Sequence, residues 1–199
     1  MSSRKWKSEN TVRLTYLALL TAMVAILQYL GSFVKFGVFS CTLVLMPIVL
    51  GAAICGPWAG AWLGAVFAGL VFITGDAAAF LMIDPAGTII TVVLKGVGAG
   101  LCSGLVYSAL KNKNTIVATI FSAITAPVVN TGIFLVGCWV FFYDTVSEWG
   151  AGLGFANGTA YMFLGLAGGN FILELTINLI LCPVIIRLLQ MLNKKAFKI

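Results

Sequence analysis

Two charged residues inside long apolar stretches, Lys95 and Glu174, are the best placed in this chain to do chemistry. A charge near the centre of a bilayer costs several kcal/mol unless it is paired or faces water, so it marks function by default. Polar side chains recur around both at helical spacing. Asn170, Glu174 and Asn178 follow i, i+4, i+8 and share one helix face, while Thr91 and Lys95 share another. Asn130, next to Thr131, follows Pro127, and a proline inside a helix frees a backbone carbonyl for other partners. Thr91, Lys95, Asn130, Asn170, Glu174 and Asn178 therefore make a candidate small-molecule pocket. The same groups also suit hydrogen bonding between helices, and a Lys95–Glu174 ion pair would serve that purpose alone.

Other chemistries fail on inventory. The chain has no histidine, which removes the usual general base and the commonest metal ligand. It has no G-x-x-x-x-G-K-[ST] loop, so it does not bind and hydrolyse ATP by that route. The five cysteines, Cys41, Cys55, Cys102, Cys138 and Cys182, are scattered without a C-x-x-C pair, which indicates neither a disulfide framework nor a metal site. No catalytic set, metal site, cofactor or nucleic-acid surface is expected.

The elements that must position these residues are membrane helices. Of 199 residues 61% are hydrophobic and only 9% charged, with a mean hydropathy of +1.08, too little charge to hydrate a water-facing surface. The apolar runs match the roughly 20 residues a helix needs to cross a core of about 30 Å, and the period-2 alternation of a barrel strand is absent. The fold expected is all-α, one membrane domain over 1–199 with six transmembrane helices at about 14–30, 43–55, 58–74, 87–110, 115–142 and 161–192. The second is short for a crossing, and is either extended at its start or partly re-entrant. The basic stretch before residue 14 is read as the lead-in to a retained helix, since no small-residue cleavage site follows Leu30.

Charge sets the expected orientation, because basic loops stay cytoplasmic. Arg4, Lys5, Lys7 and Arg13, then Lys111 and Lys113, then Arg187, Lys194, Lys195 and Lys198 all fall on one side of a six-helix chain. The acidic residues Asp76, Asp84, Asp144 and Glu148 fall on the other. Both termini are thus expected in the cytoplasm. Lys95 would then lie roughly 12 Å and Glu174 roughly 20 Å below the external surface, at 1.5 Å per residue. The longer external segments 31–42, 75–86 and 143–160, rich in Gly and aromatics, suggest lids over a pocket, although they also serve as plain connections.

Small residues form strips on three helices. Ala18 and Ala22, with Ala25 nearby, lie in the cytoplasmic half of the first; Gly56, Gly60 and Gly64 lead into the third; Gly96, Gly100 and Gly104 line the fourth. Small residues four apart let another helix approach closely. The glycine strips are assigned to internal packing, and the alanine strip to a partner protein.

Taken together, the motif Ala18-Leu-Leu-Thr-Ala22, the segment Pro47–Gly51, the turn Gly56-Pro57-Trp58-Ala59-Gly60, the run from Lys95-Gly96 to Gly104, and Asn130 resemble the substrate-binding S component of energy-coupling factor (ECF) vitamin transporters. The resemblance covers nearly the whole chain. It implies a prokaryotic plasma-membrane protein that captures a water-soluble vitamin from outside. Ala18, Ala22 and Ala25 would dock a transmembrane T component coupled to two cytoplasmic ATPase subunits. Lys95 suits a ligand bearing a carboxylate or phosphate, and Phe36, Phe39, Phe80, Trp139 and Trp149 could cover its apolar part. Pantothenate, folate and flavin-like ligands all stay open. Two other readings stand beside this one: a stand-alone carrier coupled to ions through Lys95 and Glu174, and a membrane scaffold that binds no small molecule.

Overall fold

The structure is a computed structural model that describes residues 2–33, 35–36, 39–40 and 43–196, with side chains described over 11–33 and 43–191. The basic residues Arg4, Lys5, Lys7, Lys194 and Lys195, and the aromatics Phe36 and Phe39, have side chains outside that set, while Cys41 and Lys198 lie outside the described residues altogether.

Among the described residues the chain is helical apart from one antiparallel pair of two-residue strands, β1 (Lys35–Phe36) and β2 (Phe39–Ser40), which the all-helical expectation did not include. The helices are α1 (Ser2–Gly31), α2 (Leu45–Cys55), α3 (Pro57–Ile73), α4 (Ala78–Leu81), α5 (Pro85–Leu110), α6 (Thr115–Phe141), α7 (Tyr143–Gly152) and α8 (Gly158–Ala160). A π-helical stretch (Tyr161–Gly168) then leads into α9 (Gly169–Ala196).

Four segments are long and apolar enough to cross a membrane: Thr11–Gly31, Pro85–Leu110, Thr115–Phe141 and Gly158–Met191. The two remaining apolar helices, α2 with 11 residues and α3 with 17, are shorter. At 1.5 Å per residue α2 covers only about 16 Å of a core of roughly 30 Å. The outer surface is as apolar as the composition requires: Met82 is 89% exposed, Ile73 81% and Leu164 72%.

Helix ends follow local chemistry. Asp84 caps α5, its Oδ1 accepting from the backbone N–H of Ala86 at 3.0 Å and of Gly87 at 3.1 Å, and Pro85 takes the first helical position. Asn114 caps α6 in the same way through Ile116 at 2.8 Å and Val117 at 3.3 Å. Pro127 lies inside α6 without ending it.

The frame of the molecule is α5, packed most extensively on α3 and α6. The glycine strips of α3 and α5 face each other. A Cβ at Gly60 would meet the carbonyl of Gly100, one at Gly64 that of Gly96, and one at Gly104 the backbone of Pro57. These helices touch backbone to backbone, so the glycine strips do serve internal packing. Ser122 on α6 adds a hydrogen bond from its hydroxyl to the Ser103 carbonyl of α5 at 2.9 Å.

Buried apolar side chains fall into two groups. The larger joins α1, α2, α3, α5, α6 and α9 and includes Val24, Ile48, Leu63, Phe67 and Ile185. The smaller gathers Phe80, Cys138, Phe142, Val146, Tyr161, Met162 and Leu166. Short helices occur where only loops were expected. α7 forms because Val146 and Gly150, four apart, turn inward, and Gly150 lets the Tyr161 ring lie against its backbone.

Candidate functional site

Between the two apolar groups lies a partly open cleft with a cavity volume of about 50 Å3. That is room for a few waters and well below the roughly 300–1,000 Å3 usual for small-molecule sites, so a vitamin-sized ligand fits there only when the walls part. Its walls come from five helices and one connection: Gln28 of α1, Phe67 and Val71 of α3, Asp76 and Phe80 from the α3–α5 connection, Thr88, Thr91 and Lys95 of α5, Phe134 of α6 and Asn170 of α9.

α5 supplies the cation. Thr88, Thr91 and Lys95 lie on one face at spacings of three and four, and the Asp84 cap fixes where that face begins. The Lys95 ammonium lies over two aromatic rings, 5.7 Å from the centroid of Phe67 and 5.5 Å from that of Phe134. Ring faces carry partial negative charge, so the pair holds the ammonium over the cleft without using up its hydrogen-bond donors. Asp76 and Glu174 are its anionic neighbours.

Asp76 supplies the anion, and its position follows from how α3 ends. Gly75, at φ +76°, lets the chain turn back, with Asp76 N–H donating to the Val71 carbonyl at 3.1 Å and Gly75 N–H to that of Phe72 at 3.3 Å. This double bond pattern closes a helix on a left-handed glycine and delivers the next residue beside the helix end. One carboxylate oxygen, Oδ2, accepts from Gln28 Nε2 at 2.6 Å and from Thr74 Oγ1 at 3.0 Å. The other, Oδ1, is buried without a hydrogen-bond partner among the described residues.

α9 supplies a polar column. Asn170 Nδ2 donates to Glu174 Oε1 at 2.8 Å, and Asn130 Nδ2 from α6 donates to Glu174 Oε2 at 3.4 Å. Glu174 and Asn130 are buried behind the wall that Asn170 presents to the cleft. Asn178 is buried one turn further along α9, its Nδ2 without a hydrogen-bond partner among the described residues.

The six pocket residues expected from sequence thus divide. Thr91, Lys95 and Asn170 line the cleft, and the buried Thr91 Oγ1 and Asn170 Oδ1 lack hydrogen-bond partners among the described residues. Asn130 and Glu174 lie one hydrogen bond behind it, and Asn178 is not among its lining residues. Of the aromatics, Phe80 lines the cleft, with the Trp149 ring 5.6 Å from its own. Trp139, expected to cover a ligand, is 69% exposed and lines a separate groove with Leu135, Thr159 and Phe163 instead of the cleft. Gln28, Asp76 and Thr88 were not anticipated. Gln28 is an amide within the apolar run of α1, and Asp76 was read only as an acidic loop residue. On the outer face of α1, Ala18 and Ala22 are exposed and Ala25 is half-buried.

Comparison with curated proteins and with solved structures gave no match. The family model described as ECF transporter, substrate-specific component, matches residues 12–186, a span that contains every cleft residue, the α9 column and the alanine strip. This chain therefore belongs to the family of ECF transporter substrate-specific components, membrane proteins that bind the substrate of a transporter.

Proposed function

We propose that this chain captures a water-soluble vitamin or related micronutrient that carries an acidic group, and that the cleft around Lys95 is where it binds. The observation that carries the reading is the Lys95 ammonium, which lines the cleft and is held over the Phe67 and Phe134 rings. A carboxylate or phosphate there gains charge-assisted hydrogen bonds, while Phe80 and Phe142 cover an apolar portion. Thr91 and Asn170 offer further polar atoms on the same wall. Asn130, Glu174 and Asn178 support the wall from behind.

In this reading the bundle crosses the prokaryotic plasma membrane six times, with α2 and α3 completing the set and both termini in the cytoplasm. The supporting observation is charge. Lys111 and Lys113 lie at the opposite end of α5 from the acidic residue Asp84, and the cleft opens among residues of the Asp84 end. Ala18 and Ala22 present a flat exposed strip of α1 to a transmembrane T component, and two separate ATPase subunits drive delivery inward.

The test is a thermal-shift screen of detergent-purified protein against water-soluble vitamins, with mass spectrometry of anything that co-purifies. A compound at 100 times its dissociation constant raises stability by about 2.7 kcal/mol. One hit, weakened by Lys95→Ala, supports the reading. No hit, together with uptake by this chain alone that follows an ion gradient, would establish the ion-coupled carrier instead.

A further inference from the structure

We infer that the cleft selects for a molecule with two poles: an acidic group at Lys95 and, at the other end, a hydroxyl, amide or amine that donates a hydrogen bond to Asp76. The inference rests on the reading of the cleft as the binding site and narrows what enters it.

Three observations converge on Asp76. It lines the same cleft as Lys95, so one molecule can reach both. Its Oδ2 is engaged by Gln28 Nε2 and Thr74 Oγ1, so the carboxyl group is held in place. Its Oδ1 is buried and has no hydrogen-bond partner among the described residues. An ionised carboxylate only accepts hydrogen bonds, and a buried acceptor left unpaired forfeits its solvation. A donor from the bound molecule repairs that loss, whereas a methyl group or a second anion at the same place deepens it. Specificity by a buried polar group works through this asymmetry. Gln28 is a positioning residue: its bond to Oδ2 holds the orientation of the carboxyl group.

The experiment uses the full-length protein in detergent and titrates pantothenate, folate and riboflavin phosphate, each against an analogue methylated at the donor farthest from its acidic group. For whichever compound binds, methylation is expected to weaken binding to wild type by about 10- to 100-fold. Asp76→Asn is expected to weaken the unmodified compound and to erase the difference between it and its methylated partner. Equal binding of the two by wild type overturns the inference, as does Asp76→Asn binding the unmodified compound as tightly as wild type. If Lys95→Ala still abolishes binding in that case, the cleft stands as the site and only the second pole falls. If none of the three binds wild type, the inference fails together with the reading it rests on. Should Asp76→Asn not fold, the wild-type comparison decides alone.

Discussion

Gln28 Nε2 donates to Asp76 Oδ2 at 2.6 Å, which ties α1 to the turn after α3 across 48 residues of chain. The amide is 2% exposed, and the bond is short and charge-assisted. Gln28→Leu keeps the volume but leaves the carboxylate with Thr74 alone. A loss of about 1–3 kcal/mol is expected, read as a lower unfolding temperature in detergent. An unchanged melting temperature would mean that water already shares the bond.

Glu174 accepts from two asparagines at unequal distances, 2.8 Å from Asn170 and 3.4 Å from Asn130. Double-mutant cycles with Asn→Ala and Glu174→Ala should give a coupling of about 1.5–3 kcal/mol for the closer pair and clearly less for the longer one. The reverse order would show that the long contact is the one that holds α6 to α9.

The seam between α3 and α5 has no room for a side chain. Gly64→Val and Gly96→Val each drive a Cβ into the facing backbone carbonyl. Helix separation should cost more than about 3 kcal/mol, beyond ordinary overpacking. Gly132→Ala on α6, where a Cβ meets open space, is the control and should be neutral or slightly stabilising. Normal melting of both valine variants would disprove the tight seam.

The alanine strip of α1 makes an opposite prediction. Ala18→Trp and Ala22→Trp project from exposed positions, so the isolated chain should keep its stability to within about 0.5 kcal/mol. If the strip docks a partner, the same variants should lose transport in cells that contain the energising subunits while vitamin binding by the purified chain persists. Full transport by both would remove the strip from the docking surface.

Capping of α5 is separable from the site it aligns. Asp84→Ala removes two backbone bonds at the start of the helix and should cost about 0.5–2 kcal/mol. Because Lys95 lies several turns away, vitamin affinity should fall by much less than in Lys95→Ala. Comparable losses in the two variants would show that the helix start shifts when uncapped.

What could be read from sequence follows the range of the interaction involved. Apolar runs announce helices, because a segment in lipid must satisfy its own backbone. α5, α6 and α9 accordingly lie where the hydropathy placed them, and spacing alone set Thr91 beside Lys95 and Asn170 beside Glu174. Glycines four apart likewise announced the seam. Contacts between distant segments left no such trace. The Gln28–Asp76 bond needs the Gly75 turn and the α1–α3 packing together, and neither residue carries a periodic signal. α4, with four residues, and α7, with two glycines near its end, fall below the length at which apolar periodicity separates a helix from a loop. The direction of Trp139 was misjudged because the packing neighbours of α6, rather than its own composition, decide which of its faces turns inward.

The α3–α5 seam has a mechanical consequence. Two helices in contact through their backbones have no compressible side-chain layer between them, so they move as one plank. That plank carries Phe67 and Lys95, the ring and the ammonium that mark the cationic end of the cleft. If the cleft holds the cargo, its cationic end is set before capture, and adjustment falls to the walls that meet the plank through side chains, α1 with Gln28 and α9 with Asn170. α1 reaches Asp76 from its inner side and bears the alanine strip on its outer side.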